Sequence, residues 1–349
     1  MDTQQINALL DALPLPALAI GPKETILGAN DAALSLLGRG MVGRHFITAL
    51  RQPSVLDVVE ATLRDGSINA TRYLSNDGAQ DTTFIINCAP VDVGQGAGAL
   101  VCFEDITHVE QIGQMRRDFV ANVSHELRSP LTALSGFIET LRGPARDDEV
   151  ARERFLAIMQ DEASRMERLV KDLLSLSRVE SEERQRPTTE IDILRVIGSV
   201  LHSLQPLILG NNIEIVQEFA NDKIILAGDQ DQLQQVLTNL IENAIKYGGR
   251  DQRVHVRAST TNDEPTMRGP AVVVAIRDQG PGIDQIHIPR LTERFYRVDS
   301  HRSREIGGTG LGLAIVKHIL NRHRGRLRID STLGNGSEFR VILPLGKNI

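Results

Sequence analysis

Apolar positions change their period twice along the chain. Over the first hundred residues they form short runs cut by turn residues. Residues 16–20 and 25–28 flank a Gly-Pro turn and read as strands, as do residues 84–93 and 99–103 on either side of Gly94 and Gly98. Asn30 or Asp31 is placed to cap a helix that Gly38 ends. From residue 105 the spacing becomes helical. Ile106, Val109, Ile112 and Met115 lead into Val120, Val123, Leu127, Leu131, Leu134, Ile138 and Leu141, which predicts one long amphipathic helix closed by Gly143 and Pro144. A second helix starts at Asp147, with Phe155, Met159, Met166, Val170, Leu173 and Ser177 along one face. Two long helices joined by a short loop make an antiparallel hairpin. Its apolar stripe needs a second copy to cover it, so a homodimeric four-helix bundle is expected.

Pro187 marks the second change. Beyond it the pattern predicts a helix at 192–209, strands at 213–218 and 223–226, and a helix at 230–247. Strands at 253–258 and 272–278, a helix at 309–323 and strands at 326–331 and 337–343 complete it. That is a mixed α/β layer. The expected organisation is therefore multidomain α+β: an α+β unit at 1–105, a helical linker and hairpin at 106–186, and an α/β sandwich at 187–349.

Composition removes several classes of function. The 349 residues carry 39 Lys and Arg against 45 Asp and Glu, a net charge of −6, which argues against direct nucleic-acid binding. The longest apolar runs, such as 271–276, fall well short of the ~20 residues of a membrane span, and the first residues lack the basic and apolar regions of a secretory leader. Two cysteines, Cys88 and Cys102, do not make a disulfide framework. A cytoplasmic location is expected.

Candidate chemistry begins at His125. It lies about 160–200° around the helix from Val123, Leu127, Leu134 and Leu141, so it points away from the apolar seam into solvent. Glu126 follows, and a carboxylate beside an imidazole can hold one ring N–H and make the other nitrogen a better nucleophile. Ser129 shares the face of His125, and Pro130 removes the N–H that would bond the Glu126 carbonyl. Taken alone, these residues fit a solvated surface histidine with chance neighbours better than a reactive one.

Three boxes in the last third alter that balance. Asn239, Asn243 and Lys246 share one helical face, and two carboxamide oxygens with an ammonium suit a hydrated Mg²⁺ and phosphates. Asp278-Gln-Gly280-Pro-Gly282 follows an apolar strand, where a sharp turn aims a carboxylate into a cleft. Gly307-Gly308-Thr309-Gly310-Leu311-Gly312 opens a helix, with bare backbone ready for phosphate oxygens. No G-x-x-x-x-G-K-[ST] is present, the glycine run follows a polar loop rather than a strand, and H-R-D and D-F-G are absent. P-loop, Rossmann and eukaryotic-type kinase patterns are thereby excluded.

The stretch Phe119-Val-Ala-Asn-Val-Ser-His125-Glu-Leu-Arg-Ser-Pro-Leu, followed in order by these boxes, resembles the sensor histidine kinases of two-component systems. Glu293-Arg-Phe-Tyr-Arg-Val-Asp299 resembles that family's phenylalanine box, and Gly334-Asn-Gly-Ser-Glu-Phe its closing glycine motif. Residues 1–105 resemble a PAS sensor domain through Gly28-Ala-Asn-Asp, Val42-Gly-Arg-His-Phe and Asp105-Ile-Thr107. The whole is similar to the cytoplasmic portions of phosphate-regulon sensor kinases. The resemblance implies an ATP-binding fold of the histidine kinase, gyrase and chaperone type.

It also implies roles. His125 would accept the γ-phosphoryl group of ATP, with Glu126 as general base, and Asp278 would bond the adenine amino group. Asn243 would ligate Mg²⁺, with Asn239, Lys246 and Tyr247 lining the phosphate side. Arg297 would neutralise the transferring group. Gly280 and Gly282, with Gly308, Thr309, Gly310, Leu311 and Gly312, would shape the pocket and let a lid at 299–308 close, where His301 and the arginines at 302–304 could reach phosphates. The partner would be a cognate response regulator, whose aspartate receives the phosphoryl group. Ser129 would orient water for dephosphorylating that partner. A cytosolic or membrane-associated signalling partner would act through the PAS-like segment. Two other readings stay open on the residues: an ATP-binding scaffold that transfers nothing, and an ATP hydrolase of the gyrase and chaperone type.

Overall fold

The structure, a computed structural model, describes residues 3–76, 81–94, 96–183, 185–267, 269–298 and 308–345. Its contacts divide into two compact units, Met1–Ala121 and Asn122–Ile349.

The first unit is built on a five-stranded antiparallel sheet of β1 (Ala17–Ile20), β2 (Ile26–Ala29), β3 (Asn69–Asn76), β4 (Asp81–Asp92) and β5 (Ala97–Asp105), in the order β2-β1-β5-β4-β3. Helix α1 (Thr3–Asp11) packs Ile6 and Leu10 on one face, against Ala17, Ala19 and Val93. Helices α2 (Asp31–Leu37) and α3 (Pro53–Asp65) bring Ala33, Val55 and Val59 to the other face. There they join Leu18, Ile20, Phe84, Ile86 and Phe103 in the larger core. The sequence reading anticipated four of the strands and the capped helix. It lacked α1, α3 and the edge strand β3. Cys88 packs in the larger core and Cys102 against the smaller one, so the two thiols face opposite sides of the sheet. Burial raises both above the ordinary thiol range.

Asn30 ties this unit together at the cap of α2. Its Oδ1 accepts from Ala17 N–H and Ala33 N–H at 3.0 Å, while its Nδ2 donates to Leu15 C=O at 2.7 Å and Leu10 C=O at 3.1 Å. One buried carboxamide thus closes a helix N-terminus, a strand start and the turn after α1.

The continuous helix α4 (Thr107–Arg142) carries Pro130 without interruption. Asp148 caps α5 (Glu149–Glu182) by accepting from Ala151 N–H at 2.9 Å. Phe137 stacks on Phe155 near the connecting loop and Glu126 meets Arg165 farther from it, so the two helices run antiparallel, as the spacing predicts. Leu131, Ile138, Leu156, Val170 and Leu174 remain exposed on the hairpin.

The α/β layer follows in the same unit. Its sheet, β11-β12-β10-β9-β7, comprises β7 (Glu214–Phe219), β9 (Arg253–Glu264), β10 (Gly269–Arg277), β11 (Arg326–Ser331) and β12 (Ser337–Pro344). Only the β7–β9 pairing is parallel. A short pair, β6 (Glu190–Asp192) and β8 (Ile225–Ala227), stands beside it. Helices α8 (Gln230–Gly248) and α9 (Gly312–Arg322) bring apolar faces to the sheet, and α6 (Ile193–Ser203) packs its buried face against α8.

Two boundaries differ from expectation. The helix expected at 192–209 is broken at Leu204 into α6 and α7 (Gln205–Gly210), because Pro206 has no N–H to give and its ring clashes with the preceding turn. The helix expected from Thr309 begins at Gly312, because Gly310 is left-handed at φ 74° and presses against the backbone of Phe295. Among the described residues, no helix is long and apolar enough to cross a membrane.

His323 closes α9 against the start of α8. Its Nδ1–H donates to Ile319 C=O at 2.8 Å and its Nε2 accepts from Asp229 N–H at 3.0 Å, which fixes a neutral ring. Burial, the largest influence, holds this imidazole below its usual range. The unfolded chain takes up a proton near pH ~6.5 that the folded ring refuses, so stability is retained above that value and lost below it, by up to about 1.4 kcal/mol per pH unit. Unfolding midpoints measured from pH 7 down to 5 should fall less steeply for His323→Gln than for the parent. Identical slopes would count against the buried neutral ring as the cause.

Candidate functional site

A cavity of about 910 Å³ opens between α8, the loops around α9 and the side of α5. Helix α8 places Asn239, Asn243, Lys246 and Tyr247 on its wall. These are the positions left over once Val236, Leu237, Leu240, Ile241 and Ala244 have taken the buried face of the same helix. Lys246 is paired with Glu242 one turn earlier at 2.5 Å, so its ammonium reaches the cavity already partly neutralised.

Asp278 follows the last residue of β10 and is 5% exposed. Its Oδ1 accepts from Gly280 N–H at 2.8 Å and from Ser337 N–H at 3.2 Å. Burial is the main influence and pushes the carboxyl above its ordinary range, while these two N–H groups pull it back. Two close glycine contacts build the turn. A Cβ on Gly336 would stand 2.1 Å from the Asp278 carbonyl oxygen, and one on Gly282 would stand 2.1 Å from that of Thr332, both at positive φ. Gly280 abuts the Tyr247 carbonyl instead, where a Cβ would come within 2.6 Å. It packs the turn onto the end of α8 and does not line the cavity.

Gly308, Thr309, Gly310 and Gly312 line the opposite side, whereas Leu311 is fully buried and anchors the segment from behind. A Cβ on Gly312 would stand 3.0 Å from Asn239 Oδ1, so the glycine run lies directly against the asparagine face. Leu311 gives α9 no side-chain cap, which leaves the N–H groups of its first turn available to an anion. The helix terminus expected at Thr309 thus sits three residues later. Of the expected lid at 299–308, only Gly308 is among the described residues; His301 and residues 302–304 lie outside them.

The cavity has a wall that the sequence reading missed. Arg168, Lys171, Asp172 and Ser175 of α5 line it, and Thr309 Oγ1–H donates to Asp172 Oδ2 at 2.7 Å. Burial raises the Asp172 carboxyl above its usual range, opposed by that hydrogen bond. Farther along α5, Glu180 takes Arg294 at 2.6 Å, and Glu183, just past the end of the helix, takes His318 at 2.9 Å and Asn321 at 3.0 Å, seating the layer on the hairpin. Ser337 was also missed as a site residue. Its place inside the closing glycine motif was the available signal.

His125 is exposed on α4, as its angular position predicts. It does not line the cavity. Ser129 Oγ–H donates back to the His125 carbonyl at 3.3 Å. The carboxylate of Glu126, expected beside the ring, turns to two guanidinium groups: Arg165 at 3.1 Å and Arg297 at 3.6 Å. Arg297 also donates to the Gly308 carbonyl and lines the cavity, so it joins the glycine run to the residue next to His125. Asn239 and Asn243, with Glu242 between them, offer the hard oxygen donors that a hydrated Mg²⁺ prefers.

A helical hairpin displaying a His-Glu pair is thus joined to an α/β layer whose cavity is lined by asparagine, aspartate and glycine boxes. Residues 115–182 match the family described as His Kinase A (phospho-acceptor) domain, and residues 228–347 match the histidine kinase-, DNA gyrase B- and HSP90-like ATPase family. The chain is 42% identical over 240 residues to the phosphate regulon sensor protein PhoR of Pseudomonas aeruginosa, covering 69% of this chain and 52% of that protein. It therefore spans about half the length of that relative. It is 34% identical over 351 residues to a sensor protein kinase WalK of Staphylococcus aureus, covering 98% of this chain and 81% of that one. The crystal structure of the histidine kinase ThkA in complex with the response regulator protein TrrA shares the fold, with a TM-score of 0.51 and 21% identity over 97% of this chain and 98% of that one. The chain belongs to the two-component sensor histidine kinases.

Proposed function

We propose that this chain binds ATP in the cavity, phosphorylates its own His125 and passes the phosphoryl group to an aspartate of a response regulator. One observation carries the reading. Arg297 belongs to the cavity wall and pairs with Glu126, the residue after an exposed histidine. Asp278 would receive the adenine amino group, and the first turn of α9 with the glycines before it would receive phosphate oxygens. Asn243, with Asn239 beside it, would hold Mg²⁺, which supplies charge neutralisation at the triphosphate when bound. Glu126 would draw the proton from the imidazole once its arginine partners rearrange, and Arg297 would balance charge on the group in flight. Asn239 stands where hydrolases of the gyrase type use a glutamate to activate water, so hydrolysis should be slow. Incubation with γ-labelled ATP tests the whole. Acid-labile, alkali-stable label on the protein supports the kinase, free phosphate the hydrolase, and neither product the scaffold.

Residues 1–105 would be the PAS-like sensor, 106–186 the linker and dimerisation hairpin, and 187–349 the ATP-binding domain. The exposed Leu131, Ile138, Leu156, Val170 and Leu174 support a homodimeric four-helix bundle. Phosphate starvation is the finer input that the PhoR relative supports, whereas the WalK relatives support another. Transfer rates to a panel of purified receivers separate the two. Ser129 would position water for dephosphorylating the regulator, its hydroxyl leaving the His125 carbonyl to do so. Ser129→Ala should therefore remove dephosphorylation of the phosphorylated receiver and spare autophosphorylation. Unchanged dephosphorylation would exclude the hydroxyl.

A further inference from the structure

We infer that Arg165 of α5 is a positioning residue for phosphorylation of His125, holding Glu126 where Arg297 can engage it; the inference rests on the kinase reading above. Nη2 of Arg165 lies 3.1 Å from Glu126 Oε2, and Nη1 lies 3.8 Å from Glu162 Oε2 one turn earlier on its own helix. The Arg165 side chain is 17% exposed, so the pair is shielded more than an ordinary surface ion pair. The same Oε2 of Glu126 is the atom that Arg297 approaches at 3.6 Å, with Arg297 itself 9% exposed and donating to Gly308 C=O. Two cations from different elements therefore converge on one oxygen. One belongs to the stem and the other to the nucleotide cavity.

A glutamate on a helix surface has three rotatable bonds and wanders among rotamers. A guanidinium on the neighbouring helix of the hairpin fixes the carboxylate end without touching the cavity, which Arg165 does not line. Because Glu126 follows His125 directly, the place of its carboxylate sets where Arg297 and the Gly308 carbonyl stand relative to the imidazole. Phosphoryl transfer depends almost wholly on such registration, and a misplacement of about 1 Å costs up to ~100-fold in rate.

The test compares Arg165→Ala and Arg165→Lys with the parent in the full chain. For Arg165→Ala, kcat for autophosphorylation should fall about 10- to 100-fold while KM for ATP stays within about twofold. The lysine variant, which keeps the charge without the fork, should recover part of the loss. Thermal unfolding should move by no more than about 2 °C, as for a shielded but not deeply buried pair. Hydrogen exchange in residues 290–298 should quicken in Arg165→Ala, because Arg297 loses a fixed partner. A kcat within about twofold of the parent, a lysine variant no better than alanine, or a matching rise in KM overturns the assignment. If the parent takes no label, the kinase reading fails. The exchange measurement then decides Arg165 separately, and unchanged exchange overturns its role.

Discussion

Replacing His125 by glutamine is expected to bring incorporation of label from γ-labelled ATP down to background, while binding of a fluorescent ATP analogue stays within about twofold of the parent. The separation follows from the structure. His125 is exposed on α4 and is not part of the cavity wall, so nothing that would grip the nucleotide is altered. Glutamine is a good helix former, and the position faces solvent, so the stem retains its helicity. What disappears is the nucleophilic ring nitrogen, which a carboxamide does not replace. The measurement is acid-labile label on the protein, read beside circular dichroism and analogue binding. Labelling at the parental level would remove the central assignment, whatever the state of the cavity.

The second large effect is on stability, at the other end of the chain. Asn30→Ala should destabilise the first unit by about 3–5 kcal/mol, set against a typical domain stability of about 5–15 kcal/mol. The loss of an N-cap alone costs about 1 kcal/mol. Here the same side chain also satisfies Ala17 N–H and the carbonyls of Leu10 and Leu15, in a site where Asn30 is 4% exposed. Each buried group left without a partner adds about 1–3 kcal/mol. Denaturant unfolding of the full chain should show an early transition in the variant, with nucleotide-analogue binding retained until the later one. A shift below about 1 kcal/mol would mean that water or a repacked turn replaces the carboxamide.

The parts of this molecule legible in the sequence are those where a local pattern and its physical cause coincide. The spacing from Val120 to Leu141 needed only helical geometry to place His125 on the outside. Asn30 was readable as a cap because capping acts within three residues, whereas the start read at Asp147 falls one residue before the actual cap, Asp148. The asparagine, aspartate and glycine boxes converge on one cavity because each sits at the end or on the face of an element whose apolar pattern was clear. Edge strand β3, by contrast, alternates between exposed and half-buried residues and offers little apolar signal. Helix α3 was available in principle from Pro53 and the helical spacing of Val55, Val59 and Thr62, but the run is short and flanked by polar residues. Asp172 and Arg165 could not be found from spacing. Their partners Thr309 and Glu126 are 137 and 39 residues away, so only the folded chain brings them into reach.

Pro130 alters the backbone of the turn that carries His125. Having no amide hydrogen, it leaves the Glu126 carbonyl without the bond that the next helical turn would ordinarily supply, while the preceding carbonyl, that of His125, takes up the Ser129 hydroxyl. The rung directly above the imidazole is therefore missing from an otherwise continuous ladder. Under the proposed reaction, a turn softened in this way would let the ring of His125 tilt toward one reactant and then another without unwinding the helix.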